Sequence, residues 1–228
     1  MNKGFNFDNP LFTGLSRFAD LLWLNILYII CCIPIFTIGA ATTSLYYVTL
    51  KMAKDEESYI TKSFFKSFKQ NFKQATGIWM VFVVLFAVVI TDVVIVNRNL
   101  LGESLGASGL KNVILVASGV IGIVAMFILI YVFPILAQFE NSTKNTVKNA
   151  FLISIRHLPY TVLFVVIIAV PVVLMYFSNT ALMLVFIIFS LIAYINSQFF
   201  KKIFVLYMPE DTTGSEDEHI FSDGEENV

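Results

Sequence analysis

The chain has 228 residues, of which 57% are hydrophobic and 14% charged. Soluble proteins carry about 25% charged residues on average, so a water-solvated surface over the whole chain is excluded. The formal net charge of −1 conceals an asymmetry: up to Met208 there are 15 basic and eight acidic residues, and beyond it eight acidic residues and no Lys or Arg.

Four stretches contain no Asp, Glu, Lys or Arg: Leu21–Leu50, Gln74–Thr91, Asn112–Phe139 and Leu158–Phe200. Roughly 20 apolar residues in a helix cross a ~30 Å hydrocarbon core, where only helices and closed barrels satisfy their backbone. The runs are continuous in Val, Ile, Leu and Phe and lack the alternation of a barrel strand. The expected fold is therefore all-α, a polytopic membrane helix bundle over residues 1–208, with 209–228 as an acidic, disordered cytoplasmic tail. The tail reads either as a docking or regulatory element or as a solvated end without a specific partner.

In chain order, Leu21–Leu50 is long for one span and short for two. It is interrupted at Pro34, Thr37 and Gly39, residues suited to ending one helix and starting another. Two readings follow: one kinked helix and five spans in all, or a hairpin of Phe18–Pro34 and Thr37–Met52 and six spans, the reading preferred here. Gly39, Ala40, Ala41, Thr42, Thr43 and Ser44 suit close helix–helix contact in lipid, and Pro34, Thr37, Gly39 and Thr42 form a candidate break and packing motif. Cys31 and Cys32 read as small apolar packers. The late Ile38-Gly39-Ala40 match makes a poor signal-peptide cleavage site, so the segment is expected to remain.

Lys62, Lys66, Lys69 and Lys73 recur at helical spacing, as do Phe65, Phe68 and Phe72. This predicts a separate helix along the membrane surface, with its rings at the acyl boundary and its ammonium groups near headgroups or a partner. A span from Gln74 to Val96 follows, and Asn112–Phe139 forms another. A second surface helix is predicted from Val147, Phe151, Ile155 and Leu158 with Lys144 and Lys148. Leu158–Phe200 must hold two spans, turning at Ser178-Asn179-Thr180, with Pro171 kinking the first. The order of span, surface helix and span occurs twice, at about 36–96 and 112–178, which suggests a parallel repeat. The Lys-rich connections fall on one side, predicted to be cytoplasmic, together with both termini.

Ionisable residues inside a span are functional suspects. Asp92 is the one candidate, with Arg98 as the expected partner; Asp20 and Glu140 read as span-edge carboxylates. Asn25 and Asn196, with Ser197 and Gln198 beside it, are the uncharged intramembrane polar candidates. His157 and His219 are the only histidines, and no metal-ligand cluster, phosphate loop or nucleophile motif is visible. No catalytic residue, cofactor, metal or nucleic-acid partner is expected.

Several strings in the N-terminal third carry a resemblance. Phe5-Asn6 and Asn9-Pro10-Leu11 lead to Asn25, then Cys31-Cys32-Ile33-Pro34 and Thr37-Ile38-Gly39-Ala40-Ala41-Thr42. Leu45-Tyr46-Tyr47-Val48, Asp55-Glu56-Glu57 and the run Phe64 to Phe72 follow. Together they resemble the YesL family, bacterial integral membrane proteins of unknown function, DUF624. The resemblance implies a bacterial, mainly Gram-positive, cytoplasmic-membrane protein. Its genomic neighbours would be carbohydrate ABC uptake systems and sugar-degrading enzymes, and no catalytic residue carries over. The leading expectation is a non-catalytic accessory or regulatory component of carbohydrate uptake, with the lipid bilayer and a carbohydrate ABC transporter permease as partners. The alternative is a secondary transporter for a small neutral solute, with a polar cavity lined by Asn25, Thr42 and Asn196.

Overall fold

The charge-free runs fold almost entirely as helix. The computed structural model describes residues 10–56, 59–98, 108–177 and 185–208. In chain order these are α1 (Pro10–Cys32), a 3-10 turn (Ile35–Thr37), α2 (Ile38–Ala53), α3 (Ile60–Asn97), α4 (Ser108–Gln138), α5 (Thr143–Arg156), α6 (Leu158–Phe177) and α7 (Val185–Val205). No strand occurs among the described residues. The opening residues 1–9, the expected turn at Ser178–Thr180 and the acidic tail 209–228 lie outside them.

Among the described residues, four helical segments are long and apolar enough to cross a membrane: Gly14–Cys32, Ile60–Asn97, Lys111–Gln138 and Ile187–Val205. A fifth arises if α5 and the start of α6, bent by 99° at their junction, count as one broken span. At 16 residues, α2 is about 24 Å long, short of a ~30 Å core.

The first run does break between two helices. Pro34 cannot donate a backbone hydrogen bond, and the side chain of Thr37 closes the gap. Its Oγ1 lies 2.5 Å from the carbonyl oxygen of Cys31 and 2.6 Å from that of Pro34. The Cys31 carbonyl, left without an intrahelical donor at the end of α1, is thereby satisfied.

Packing centres on α2, which touches α1, α3, α4 and α7. Its small and hydroxyl-bearing residues make this possible. Thr43, Ser44 and Thr49 are fully buried, and each hydroxyl bonds a carbonyl one turn back, at 2.9 to 3.0 Å. A hydroxyl bonded to its own helix enters an apolar interface without an orphaned polar atom. Gly39 sets the closest approach: a Cβ there would lie 2.5 Å from the Ala75 carbonyl oxygen and 2.7 Å from Trp79 Cβ.

Beside α2 lies an aromatic layer from four helices. Phe200 (α7) has its ring centroid 4.5 Å from Phe164 (α6), 5.3 Å from Tyr131 (α4) and 5.8 Å from Tyr46 (α2). The hydroxyl of Thr161 donates to the Ser154 carbonyl at 2.7 Å, so the 2.9 Å contact between Tyr131 Oη and Thr161 Oγ1 has Tyr131 as donor.

One expected division is absent. The lysine-bearing segment and the apolar span after Lys73 are a single helix of 38 residues, about 57 Å long. Phe64, Ser67, Ala75, Ile78 and Phe82 form one buried stripe that passes through the Lys73–Gln74 boundary. Packing along this stripe gives the helix no reason to bend there, and it contains no proline. The second expected surface helix is a separate element, α5, and the 99° bend follows it. The two stretches suggested as repeats, 36–96 and 112–178, thus differ in shape. Pro171 lies within α6, and Pro134, which drew no attention in the sequence, lies within α4.

Candidate functional site

Two groups of residues bear on function: polar side chains buried between helices, and the basic face of α3. Asn25 is completely buried. Its Nδ2 donates to the Val185 carbonyl at 2.8 Å, and its Oδ1 accepts from the Ser190 backbone N–H at 3.0 Å. It therefore clamps the middle of α1 onto the first turns of α7. Thr49 Oγ1 and Ser197 Oγ, 2.8 Å apart, join α2 to α7. Asn196 is also fully buried, but its Nδ2 reaches Tyr46 Oη only at 3.4 Å and its Oδ1 has no hydrogen-bond partner among the described residues.

The three residues expected to line a polar cavity do not do so together. Thr42 lines a cavity of about 310 Å³ with Tyr28, Leu45, Ile168, Pro171 and Ile192, a largely apolar wall. Its Oγ1 lies 3.4 Å from Tyr28 Oη. Asn25 and Asn196 are outside that lining. Asn25 directs its polar atoms to α7, and Asn196 contacts Tyr46, which itself lines the cavity.

These contacts order two mutational outcomes. Asn25→Ala removes two good hydrogen bonds and leaves a void, and is expected to cost about 2 kcal/mol. Asn196→Ala removes one long bond and an unpaired acceptor, and is expected to cost under ~1 kcal/mol. Thermal unfolding of both variants in the same detergent checks the order; an equal or reversed loss contradicts the clamp.

Asp92 is half-buried and accepts a hydrogen bond from Ser118 Oγ of α4 at 3.0 Å. Its partner is thus a hydroxyl on the antiparallel helix, 26 residues away. No ion pair with Arg98 is formed among the described residues. Arg17 instead pairs with Asp55 and donates to Tyr194 Oη at 3.1 Å, joining α1, the α2–α3 turn and α7. Asp55 has φ of 59°, a left-handed conformation that Asp tolerates better than most residues.

On α3, Lys62, Lys66, Lys69 and Lys73 are all exposed. The aromatic stripe departs from expectation. Phe64 is the buried ring, Phe65 is exposed, and Phe68 and Phe72 are half-buried against the protein core. Phe68 stacks on Phe64 with centroids 6.3 Å apart and lies 5.5 Å from Phe72. Of the three rings expected at the acyl boundary, only Phe65 is turned outward, because α2 occupies the other side. On α5 the outward face carries Phe151, Leu152 and Ile155, followed by Leu158 at the start of α6, while Thr146, Ala150, Ile153 and Ser154 are buried.

The start of α3 and the middle of α1 enclose an open groove of about 860 Å³. Trp23 crosses it, and its Nε1 donates to Thr61 Oγ1 at 2.9 Å. Among the described residues no group of three or more His, Cys, Asp or Glu is placed to hold a metal.

Comparison with known proteins gives two likenesses. Residues 21–93 match the family described as "Protein of unknown function, DUF624". The chain is also 25% identical over 150 residues to "Uncharacterized protein YteU" of Bacillus subtilis (strain 168), covering 64% of this chain and 63% of that relative. The matched family segment holds α2, the break motif, Asn25 and the lysine stripe. No solved structure matches.

Proposed function

We propose that this chain, whose residues 21–93 match the DUF624 family, is a multi-pass protein of the bacterial cytoplasmic membrane that has no catalysis of its own. In this reading it serves as an accessory or regulatory component of carbohydrate uptake, docked on a carbohydrate ABC permease. An even number of crossings with both termini inside is proposed; α2 packs beside the lysine-bearing half of α3, with the α1–α2 break at Trp79. The observation that carries the non-transport reading is the use of buried polar groups. Asn25, Thr49, Ser197, Tyr131 and Thr161 are engaged in helix–helix hydrogen bonds. Such bonds fix a bundle and leave few polar groups to line a path.

Support for the orientation comes from the clustering of basic ends. Lys54 Nζ lies 3.3 Å from Gln138 Oε1 at the end of α4, and Lys201 Nζ donates to the Ala53 carbonyl at 3.0 Å. The ends of α2, α4 and α7 therefore meet on the lysine-bearing side, which the positive-inside rule assigns to the cytoplasm. The carbohydrate link rests on the family resemblance alone.

The test is purification of the tagged chain from its own membranes in mild detergent, followed by reconstitution. Co-purification of a carbohydrate permease, with no solute flux by the chain alone, is the expected result. Saturable uptake by the reconstituted chain, lost in Thr42→Ala, would overturn it in favour of a transporter.

A further inference from the structure

The groove between α1 and α3 combines features that the proposed docking role does not use. Lys62, Lys66 and Lys69 line one wall with Phe65, and Trp23 and Asp20 contribute from α1. The lysines recur at steps of four and three, so their ammonium groups share a helix face. Three cations against the single carboxylate of Asp20 leave the groove with an excess of positive charge. Trp23 is 50% exposed and Phe65 38% exposed, so an apolar strip runs beside the cations. The Trp23 indole N–H donates to Thr61 Oγ1 at 2.9 Å, which orients the ring toward the start of α3. Tryptophan favours the membrane–water boundary, where an apolar ring and a polar N–H are both accommodated.

We propose that this groove is a binding site for an anionic phospholipid, its phosphate held by Lys62, Lys66 and Lys69 and its acyl chain laid along Phe65 and Trp23. The occupant is a lipid because a soluble phosphate would use the cations and leave the aromatic strip idle. The proposal rests on the membrane reading above, and it assigns a defined site where general surface attraction would spread over every exposed lysine. Asp20 opposes the same headgroup, so its charge weakens the site.

Trp23 and Trp79 are the two tryptophans, which gives the site its own reporter. Full-length Trp79→Phe protein in neutral detergent is titrated with dibrominated phosphatidylglycerol or dibrominated phosphatidylcholine, and quenching of Trp23 fluorescence is read. Phosphatidylglycerol is expected to quench at a much lower mole fraction. Lys62→Gln, Lys66→Gln and Lys69→Gln together should weaken that preference on the order of 100-fold, taking about fivefold per lysine. Lys144→Gln with Lys148→Gln on α5 should leave it unchanged, and Asp20→Asn should strengthen it. If Trp79→Phe proves unstable, native mass spectrometry of phosphatidylglycerol retained by the otherwise unaltered chain and by the lysine variants reads the same difference.

Equal quenching by the two lipids overturns the site. So does indifference to the α3 lysines, an equal loss from the α5 pair, or full displacement by soluble glycerol phosphate. Failure of the protein to associate with either lipid would instead overturn the membrane reading itself.

Discussion

Phe200→Ala is expected to lower stability by about 3 kcal/mol, the lower end of the range for a fully buried ring. Phe200 is completely buried and its ring meets those of Tyr46, Tyr131, Phe164 and Phe204. Truncation removes contacts with α2, α4, α6 and α7 at once. In lipid the transfer term is small, because acyl chains are as apolar as the core. The loss is therefore mainly the cavity and the broken ring contacts. Phe189, 41% exposed on the same helix, is the comparison: Phe189→Ala should cost under half as much. Thermal unfolding in one detergent separates the two, and equal losses would contradict a core centred on Phe200.

Gly39→Leu is expected to be at least as damaging, at ~3 kcal/mol or more, with loss of accumulation in membranes. The obstacles are the Ala75 carbonyl oxygen at 2.5 Å and Trp79 Cβ at 2.7 Å from an added Cβ. Backbone and a Cβ cannot swing aside, so α2 and α3 must separate. Overpacking ordinarily costs about 1–3 kcal/mol, and here it also pulls Trp79 from the Ile35 carbonyl, which its indole N–H reaches at 2.8 Å. Gly39→Ala should destabilise by about 1–2 kcal/mol, after the roughly 1 kcal/mol gain in helix propensity is subtracted. Gly77→Ala meets nothing within 4 Å and should be neutral or stabilising by up to ~1 kcal/mol. Opposite signs for the two Gly→Ala changes would show that the α2–α3 approach is the cause. Matching signs would remove it.

The same residues show what can be read from sequence. Charge-free runs mark the helices because an apolar helix long enough to cross a membrane excludes unpaired charge over such lengths. Pro34 and Gly39 marked the break because one lacks a donor and the other lacks a side chain. The run of small and hydroxyl residues after Gly39 is readable as a packing signal, and Gly39, Ala40, Ala41, Thr43 and Ser44 are buried on α2. The spacing separates the lysine segment from its span, whereas the structure joins them in one helix. Amphipathic spacing describes a helix face, but whether the helix bends depends on the partner lying along it. Along α3 that partner is chiefly α2, and Phe64 is the buried ring while Phe65 is exposed. Asn25 was recognisable as a polar residue in an apolar run, but its partners Val185 and Ser190 are 160 and 165 residues away. Ser118 was equally invisible as the partner of Asp92, because nothing local distinguishes a hydroxyl that faces a carboxylate from one that bonds its own helix.

The depth of the first pair follows from one contact. The α1–α2 break docks at Trp79 through Ile35, and α3 continues to Asn97, about 27 Å farther at helical rise. Along that extension α3 and α4 lie side by side and present Val81, Val84, Val88, Val113, Val116 and Val120 outward. These six valines are each more than half exposed, and lipid is the solvent that suits such a surface.

Collisional accessibility of nitroxides at Val88→Cys and Val120→Cys, in a Cys31→Ser, Cys32→Ser background within vesicles, tests that assignment most directly. Both valines are more than half exposed, at 55% and 56%, so a label there samples the surrounding solvent. Fast relaxation by oxygen and little by a water-soluble nickel chelate is expected at both positions, with the reverse at Lys66→Cys. Nickel access at Val88 and Val120 equal to that at Lys66 would place water where lipid is required and contradict the membrane assignment.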